Sequence, residues 1–143
     1  MELDPDFLAQ FQPRSMFWIT DYLGSSEEDD FHEPGVVVVD VRDLNDGTNP
    51  PNLVWWKIRT ALEVLKLGNK VCIRCAAGIS RSNSIAAAVL SLHEGISYKM
   101  ALEKVSEKVP RAWPNPLMVK STLRAIGEFG PHSQYPTVKG DKT

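Results

Sequence analysis

Short apolar runs and longer stretches with helical spacing alternate along this chain. Residues 17–24 are rich in aromatic and β-branched side chains and end at a glycine, which is typical of a short strand. Residues 36–41 form a continuous apolar run of the type found in buried central strands. Residues 71–73 are a shorter run of the same kind. The pattern therefore predicts three strands, the second of them central.

Four amphipathic segments separate or follow these strands. In the first, apolar residues at 54, 58, 61 and 65 recur at the spacing of one helical face. The predicted helices are bounded by Pro50 and Gly68, Ile85 and Gly95, Ser97 and Pro110, and Leu117 and Phe129. Alternating strands and helices predict an α/β fold, a compact three-layer sandwich in which helices flank a mostly parallel central sheet.

The length and charge of the chain indicate how many domains it has and which partners it can bind. A chain of 143 residues, 43% hydrophobic and 24% charged, has the size and composition of one globular domain. We predict this domain over residues 1–131 and a polar tail over residues 132–143, where no periodicity remains. A net charge of −2 gives no basic surface, so no nucleic-acid partner is expected.

Cysteine usage and hydropathy indicate the compartment. The chain starts without a charged and then apolar leader, and no apolar stretch is long enough to span a bilayer. Two cysteines cannot build a disulfide framework, and they favour a reducing environment. The three histidines lie in no metal-ligand spacing. The sequence therefore predicts a soluble, cytoplasmic monomer with no membrane contact, no cofactor and no metal.

Residues 75–82 carry the chemistry, because they join a predicted strand to an apolar helix through a glycine-bearing loop. In such a loop, successive backbone N–H groups converge on one point, and the helix dipole adds about half a positive charge there. This arrangement suits a phosphate dianion. We expect phosphate to be bound by the loop residues Ala76, Ala77, Gly78, Ile79, Ser80 and Arg81.

Three side chains of this loop predict nucleophilic catalysis. A cysteine beside a helix N-terminus and a cation becomes a thiolate near neutral pH, so Cys75 is the predicted nucleophile. Arg81 can grip two phosphate oxygens in a bidentate fork. Ser82 can donate its hydroxyl to the sulfur, which stabilises the thiolate and makes it a better leaving group in a second step.

The Cys-x5-Arg-Ser spacing, filled here by Ala-Ala-Gly-Ile-Ser, resembles the signature loop of the dual-specificity protein phosphatases. Residues 19–24 are similar to the first-strand pattern of that family, and residues 95–102 resemble its helix pair after the loop. Residues 113–115 match its Pro-Asn segment, in which Asn115 would brace the signature loop. The resemblance implies a phosphomonoester hydrolase that acts on phosphorylated proteins, at tyrosine and at serine or threonine, through a phosphocysteine intermediate.

Such a phosphatase also needs a carboxyl group that protonates the leaving oxygen. Asp46 opens an Asp-Gly-Thr-x-Pro stretch that resembles the general-acid motif of compact branches of the family. Asp43 is the alternative, because its separation from Cys75 is closer to the usual one. We predict Asp46 as the acid, and then as the base that activates water, with Asp43 in a supporting role.

Three features depart from the family pattern. Arg74 stands where relatives carry a histidine, and its position on an extended segment predicts a side chain that turns away from Cys75. Residues 25–35 are too few for a helix and a strand that are usual at this point. The acidic run at residues 27–30 has no counterpart, and we predict that it is a solvated loop.

Two other classes of function remain open. A rhodanese-like sulfur transferase is suggested by residues 39–42, which resemble an early strand of that family, but the motifs around Asp46 and Asn115 oppose it. A non-catalytic phosphoprotein-binding module is suggested by Arg74, although a pure binder has no need of nucleophile, clamp and acid together.

The second cysteine has an ordinary interpretation. Cys72 lies in a predicted strand, where its side chain would be too far from Cys75 for a disulfide bond. No second pair of cysteines exists to complete a structural zinc site. We therefore expect Cys72 to pack in the core.

Overall fold

The computed structural model describes residues 16–131, which fold into four strands and four helices. The strands are β1 Phe17–Trp18, β2 Leu23–Ser26, β3 Val36–Asp40 and β4 Lys70–Arg74, and the helices are α1 Pro51–Lys66, α2 Arg81–Glu94, α3 Tyr98–Lys108 and α4 Pro116–Phe129. Each helix lies where the sequence pattern predicts one. The predictions for the N-terminal start and for the tail at residues 132–143 fall outside the described residues.

The four strands form one mixed sheet in the order β1-β2-β4-β3. Strands β2, β4 and β3 run parallel, and β1 runs antiparallel to β2. The register sets Val71 of β4 beside Leu23 on one side and Val37 on the other. Helices α1 and α2 contact these strands. The predicted α/β fold with a mostly parallel sheet, and with the loop of residues 75–82 between a strand and a helix, is confirmed.

The prediction of one strand over residues 17–24 is wrong, because the segment is a tight hairpin of two strands. The Thr20 hydroxyl accepts the N–H groups of Tyr22 and Leu23, both at 3.1 Å. The Ile19 N–H donates to the Leu23 carbonyl at 2.8 Å. A threonine side chain that bonds to the backbone ahead of it favours a turn over an extended chain. The chain therefore reverses at Thr20, and β1 folds back on β2.

The central position predicted for the valine run is also wrong. Strand β3 is one of the two edge strands of the four that the structure describes, and β2 and β4 are the inner strands. Val39 is buried, whereas Val37 is exposed. β-Branched residues suit any pleated strand, so a continuous run of valines does not distinguish an edge from a centre.

Helix α2 is the central helix of the fold, with every residue from Ser82 to Leu92 buried. It contacts β2 and β4, and the other three helices pack around it. Three consecutive alanines, at positions 86 to 88, present little side-chain bulk to these neighbours. The loop between β4 and α2 is therefore held at both ends by deeply buried elements.

Side-chain caps fix the start of two helices. Ser97 Oγ accepts the Met100 N–H at 3.1 Å before α3, as predicted, and Asn115 Oδ1 accepts the Leu117 N–H at 2.9 Å before α4. Across residues 16–131, none of the helices combines the length and apolar composition that crossing a membrane requires.

Candidate active site

The predicted signature loop joins the end of β4 to the start of α2. Cys75 is the first residue after β4, and its N–H donates to the Ser26 carbonyl of β2 at 3.2 Å. Gly78 has φ of +68°, a left-handed conformation that favours glycine. This turn brings the Gly78 N–H to 3.2 Å from Cys75 Sγ, where it donates a hydrogen bond. A backbone donor is thus directed at the sulfur, where it can stabilise negative charge.

A buried pair of hydroxyls lies behind the sulfur. Ser82 Oγ is 3.3 Å from Cys75 Sγ, the contact that the sequence predicts. Ser82 Oγ is also 2.9 Å from Ser25 Oγ of β2. Because Ser25 can donate to Ser82, the Ser82 proton is free to point at an ionised sulfur. Sequence reasoning missed Ser25, since its place beside Ser82 depends on strand pairing across the fold.

Arg81 connects the signature loop to the segment that follows β3. Its Nη1 donates to the backbone carbonyls of Arg42 and Leu44, at 2.8 and 2.9 Å. Two carbonyl acceptors fix the direction of the guanidinium, which reduces the rotamer freedom lost when it grips an anion. Arg81 and Cys75 line the same cavity, of about 460 Å³.

Asp46 lines this cavity too, on a loop that is fixed by side chains. Asn49 Oδ1 accepts the Asn45 N–H at 2.7 Å, and Asn49 Nδ2 returns a bond to the Asn45 carbonyl at 2.9 Å. From α4, Ser121 Oγ donates to the Gly47 carbonyl at 2.8 Å. Both Asn49 and Ser121 are buried. The loop that carries the predicted acid is therefore held from inside the core.

Asp43 lies outside this cavity. Its carboxylate pairs with Lys57 Nζ at 3.0 Å, and its side chain is 70% exposed. It lines a different surface depression, together with Asp40, Arg42 and Lys57. Of the two aspartates that the sequence offers as the acid, the structure brings only Asp46 into one cavity with Cys75 and Arg81.

Asn115 links the two loops of the site. Its backbone N–H donates to Ser80 Oγ at 2.8 Å, and its Nδ2 donates to the Asp46 carbonyl at 3.1 Å. Its contact with the signature loop is made by the backbone, whereas its side-chain amide contacts the loop of the predicted acid. One residue at the start of α4 fixes the distance between the two.

Asn83 is a second brace, and sequence reasoning missed it. Its Nδ2 donates to the carbonyls of Gly78 and Ile79, both at 2.9 Å, from inside the first turn of α2. A buried asparagine early in an apolar helix was the available signal, since such a side chain needs a partner.

Two large apolar side chains also line the cavity: Trp113 is 79% exposed and Ile79 is 41% exposed. The Trp113 N–H donates to the Ile79 carbonyl at 2.9 Å, which holds the two residues together.

Arg74 turns away from the sulfur. Its Nη2 pairs with Asp40 Oδ2 at 2.9 Å, across the β3–β4 register that sets these two residues side by side. Hydrogen bonds from Arg42 above all, and then from Arg74, hold the pKa of Asp40 below its usual range. Arg74, which stands where the family pattern has a histidine, therefore forms an ion pair between strands β4 and β3.

For the hydrolase activity that the sequence motifs imply, an Arg74→His variant should keep the acidic limb of the pH–rate profile in place, because the guanidinium that is removed faces Asp40. The profile of kcat/KM against pH for an aryl phosphate measures this directly. A displacement of the acidic limb by about one pH unit or more would instead show that Arg74 acts on the nucleophile.

Cys72 packs in the core, as predicted. It is fully buried, with Sγ 3.3 Å from Ser26 Oγ, and burial raises its pKa to about 11. A thiol in this environment stays protonated and unreactive at neutral pH. Within residues 16–131, no group of three or more His, Cys, Asp or Glu side chains is arranged to hold a metal ion.

Comparisons with known proteins reveal a shared fold. No protein-family model matches the sequence, and no curated protein matches it significantly. Among solved structures, human tyrosine phosphatase-like serine/threonine/tyrosine-interacting protein superposes with a TM-score of 0.66 at 18% identity, covering 81% of this chain and 98% of that one.

Two further structures agree with the first. A substituted form of human DUSP28 gives a TM-score of 0.70 at 17% identity, covering 79% of this chain and 94% of the other. A leucine rich repeat and phosphatase domain containing protein from Entamoeba histolytica gives 0.66 at 14% identity, covering 80% and 92%. The chain therefore has the fold of the dual-specificity phosphatases, as the resemblance of its motifs implies.

Proposed function

We propose that this protein is a cysteine-dependent phosphomonoester hydrolase, a dual-specificity phosphatase that acts on phosphorylated proteins. One observation carries the proposal: a thiol, a guanidinium and a carboxyl group, from Cys75, Arg81 and Asp46, line a single cavity. A nucleophile, an anion clamp and a proton donor are what phosphoryl transfer through a covalent intermediate requires. The phosphatase fold of the solved neighbours supports the same activity.

The proposed reaction has two steps. In the first, the Cys75 thiolate attacks phosphorus, an S–P bond forms, the bond to the leaving oxygen breaks, and Asp46 gives that oxygen its proton. In the second, the Asp46 carboxylate takes a proton from water, whose oxygen attacks phosphorus and breaks the S–P bond. Inorganic phosphate and the thiolate are released. Ser82, at 3.3 Å from the sulfur, stabilises the charge that returns to it.

Arg81→Lys should lose most activity even though it keeps the positive charge. Lysine has no planar fork for two phosphate oxygens, and it cannot also reproduce the bonds that Arg81 Nη1 makes to the carbonyls of Arg42 and Leu44. We expect kcat/KM for an aryl phosphate to fall by about 10²-fold or more, on the scale of a lost transition-state donor. Activity close to that of the unmodified protein would exclude Arg81 as the clamp.

A phosphoprotein-binding module without turnover is the second candidate. Its support is Arg74, which stands in place of the family histidine, and the likeness to a solved protein named as phosphatase-like and interacting. Turnover of p-nitrophenyl phosphate in the presence of EDTA separates the two functions. The hydrolase proposal expects multiple turnovers per molecule, and the binding module expects phosphate affinity with none.

The substrate class follows from the loop and its walls. The loop has no lysine between Cys75 and Arg81, whereas relatives that act on phosphoinositides usually carry one. The apolar walls formed by Ile79 and Trp113 suit a side chain of a peptide better than a sugar. We propose phosphotyrosine together with phosphoserine or phosphothreonine in proteins. A comparison of kcat/KM across phosphotyrosine, phosphothreonine, phosphoinositide and RNA 5′-phosphate substrates tests this proposal, which expects the phosphoamino acids to be the better substrates.

A further inference from the structure

In the acidic run at residues 27–30, Glu28 and Asp29 are exposed, as the prediction of a solvated loop requires, whereas Asp30 is buried and Glu27 is half-buried. The prediction is therefore wrong for the two residues that pack beside the signature loop. The Asp30 side chain is completely buried and forms an ion pair with Arg111 Nη2. Asp30 Oδ2 also accepts the Glu27 N–H at 3.0 Å, and the Glu27 carboxylate lies 3.7 Å from Arg111 Nη1. A buried carboxylate needs a partner, and Arg111 supplies it from the segment after α3.

Arg111 lies directly against the turn of the signature loop. A Cβ built on Gly78 would lie 2.8 Å from Arg111 Nε and 3.0 Å from its Cζ. The guanidinium carbon also lies 5.0 Å from the centre of the Phe17 ring on β1. The Arg111 side chain is only 19% exposed. The planar group is thus enclosed by Gly78, Phe17 and the two carboxylates.

The acidic run also touches the start of the loop through the backbone. The Glu28 N–H donates to the Ala76 carbonyl at 3.3 Å. Just before the run, the Ser26 carbonyl accepts the Cys75 N–H at 3.2 Å. The nucleophile and the residue after it are therefore both tied to the segment that holds Arg111.

The charges in this cluster point to a steric role for Arg111. One guanidinium is matched by the carboxylates of Asp30 and Glu27, so the cluster offers no net positive charge to a phosphate. What Arg111 contributes to the loop is its shape, since it fills the space beneath Gly78. The Gly78 N–H is the group that donates to Cys75 Sγ, so a shift of this turn moves a donor away from the sulfur.

We propose that Arg111 is a positioning residue, which Asp30 and Glu27 hold flat against Gly78 so that the signature loop stays in its anion-binding conformation. The proposal rests on the proposed function, because it assumes that the loop binds phosphate. Misplacement of binding groups by about 1 Å is enough to cost up to about 10²-fold in binding or rate. The expected loss is therefore large for a residue that does not touch the phosphate.

The test measures orthovanadate binding by calorimetry and thermal unfolding for three variants: Arg111→Gln, Arg111→Lys and Asp30→Asn. We expect Arg111→Gln to weaken vanadate binding by about 10- to 100-fold. Arg111→Lys keeps a charge for Asp30 but lacks the planar group, so we expect it to recover thermal stability without recovering affinity. Asp30→Asn leaves the guanidinium with Glu27 alone and should weaken binding in the same direction. Arg124→Gln, which removes an exposed pair with Glu128, is the matched control and should leave binding unchanged.

The outcomes are distinct from those of the phosphatase proposal, because vanadate binding needs no turnover. A protein whose vanadate affinity depends on Arg111, but which hydrolyses nothing, would keep this inference and reject the enzyme. Vanadate affinity equal to that of the unmodified protein in a folded Arg111→Gln or Asp30→Asn variant would overturn the positioning role. Recovery of affinity and stability together in Arg111→Lys would also overturn it, since an ion pair alone would then suffice. If Arg111→Gln does not fold, the other two variants decide.

Discussion

A Cys75→Ser variant should show no measurable hydrolysis of p-nitrophenyl phosphate in the presence of EDTA, under conditions in which the unmodified protein hydrolyses this substrate. The hydroxyl of serine stays protonated where a thiol ionises, so the variant lacks a nucleophile for phosphorus. Serine is only slightly smaller than cysteine. The neighbours of the sulfur, the Gly78 N–H and Ser82 Oγ, can still form hydrogen bonds with the serine hydroxyl. We therefore expect the variant to fold and to bind vanadate.

The second cysteine provides the control for this result. Cys72→Ala removes a buried thiol that faces Ser26, outside the site. We expect it to lower thermal stability slightly and to leave kcat unchanged. Undiminished activity in Cys75→Ser, or equal losses in the two variants, would contradict the assignment of Cys75. Complete inhibition of the unmodified protein by EDTA would contradict a metal-independent mechanism.

Asp46→Asn should lower kcat/KM, which reports the first step, on phenyl and alkyl phosphates by about 10²- to 10⁴-fold, the usual contribution of a general acid. The loss should be much smaller on p-nitrophenyl phosphate, whose leaving oxygen is released without a proton. Asparagine keeps the size of the side chain, and the bond from Asn115 Nδ2 goes to the backbone carbonyl of residue 46, so the loop should stay in place. A plot of log(kcat/KM) against the pKa of the leaving group measures the effect.

Asp43→Asn is the matched control for the acid. Its carboxylate is exposed and pairs with Lys57, and the change should alter the slope of that plot little. If Asp43→Asn abolishes the activity on phenyl phosphate and Asp46→Asn does not, then Asp43 is the acid. In that case the loop that carries it must move on binding substrate.

The signature loop could be predicted because its chemistry lies in one continuous stretch. Cys75, Arg81 and Ser82 fall within eight residues between a strand and a helix, and local geometry alone brings them together around one loop. Asp46 could be proposed from its motif, but its place in the cavity depends on a loop held by Asn49 and Ser121, which are 72 residues apart. The contact between these two residues depends on tertiary packing, which the sequence pattern does not reveal.

The support under the loop could not be predicted for the same reason. Asp30 and Arg111 are 81 positions apart, and neither sits in an apolar pattern that marks a buried site. A run of acidic residues is ordinarily solvated, and only the arrival of Arg111 from beyond α3 allows Asp30 to be buried. Ser25 and Ser82 likewise meet across 57 positions, through the pairing of β2 with β4.

The beginning of α2 shows where the spacing of apolar residues fails to locate a helix boundary. Sequence spacing marks one apolar face from Ile85 onward, whereas the helix starts at Arg81 and is buried on every side. Its first turn holds Ser82, Asn83 and Ser84, which are polar yet buried. Ser82 Oγ contacts Ser25 of β2, Asn83 donates to the carbonyls of the loop, and the backbone carbonyl of Ser84 accepts the Tyr98 hydroxyl. The polar residues of the first turn therefore interrupt the apolar pattern, so the pattern does not mark the start of this core helix.

The covalent intermediate is the central claim, and trapping it is the most direct test. Asp46→Asn should be mixed with p-nitrophenyl phosphate, quenched in acid within the first turnover, and mapped by peptide mass spectrometry. Its first step needs no acid with this leaving group, while its second step lacks a base, so the intermediate should accumulate. We predict one phosphoryl group on Cys75, absent when Cys75 is replaced by serine. Turnover with an unmodified Cys75, or a phosphoryl group on another side chain, would contradict the account.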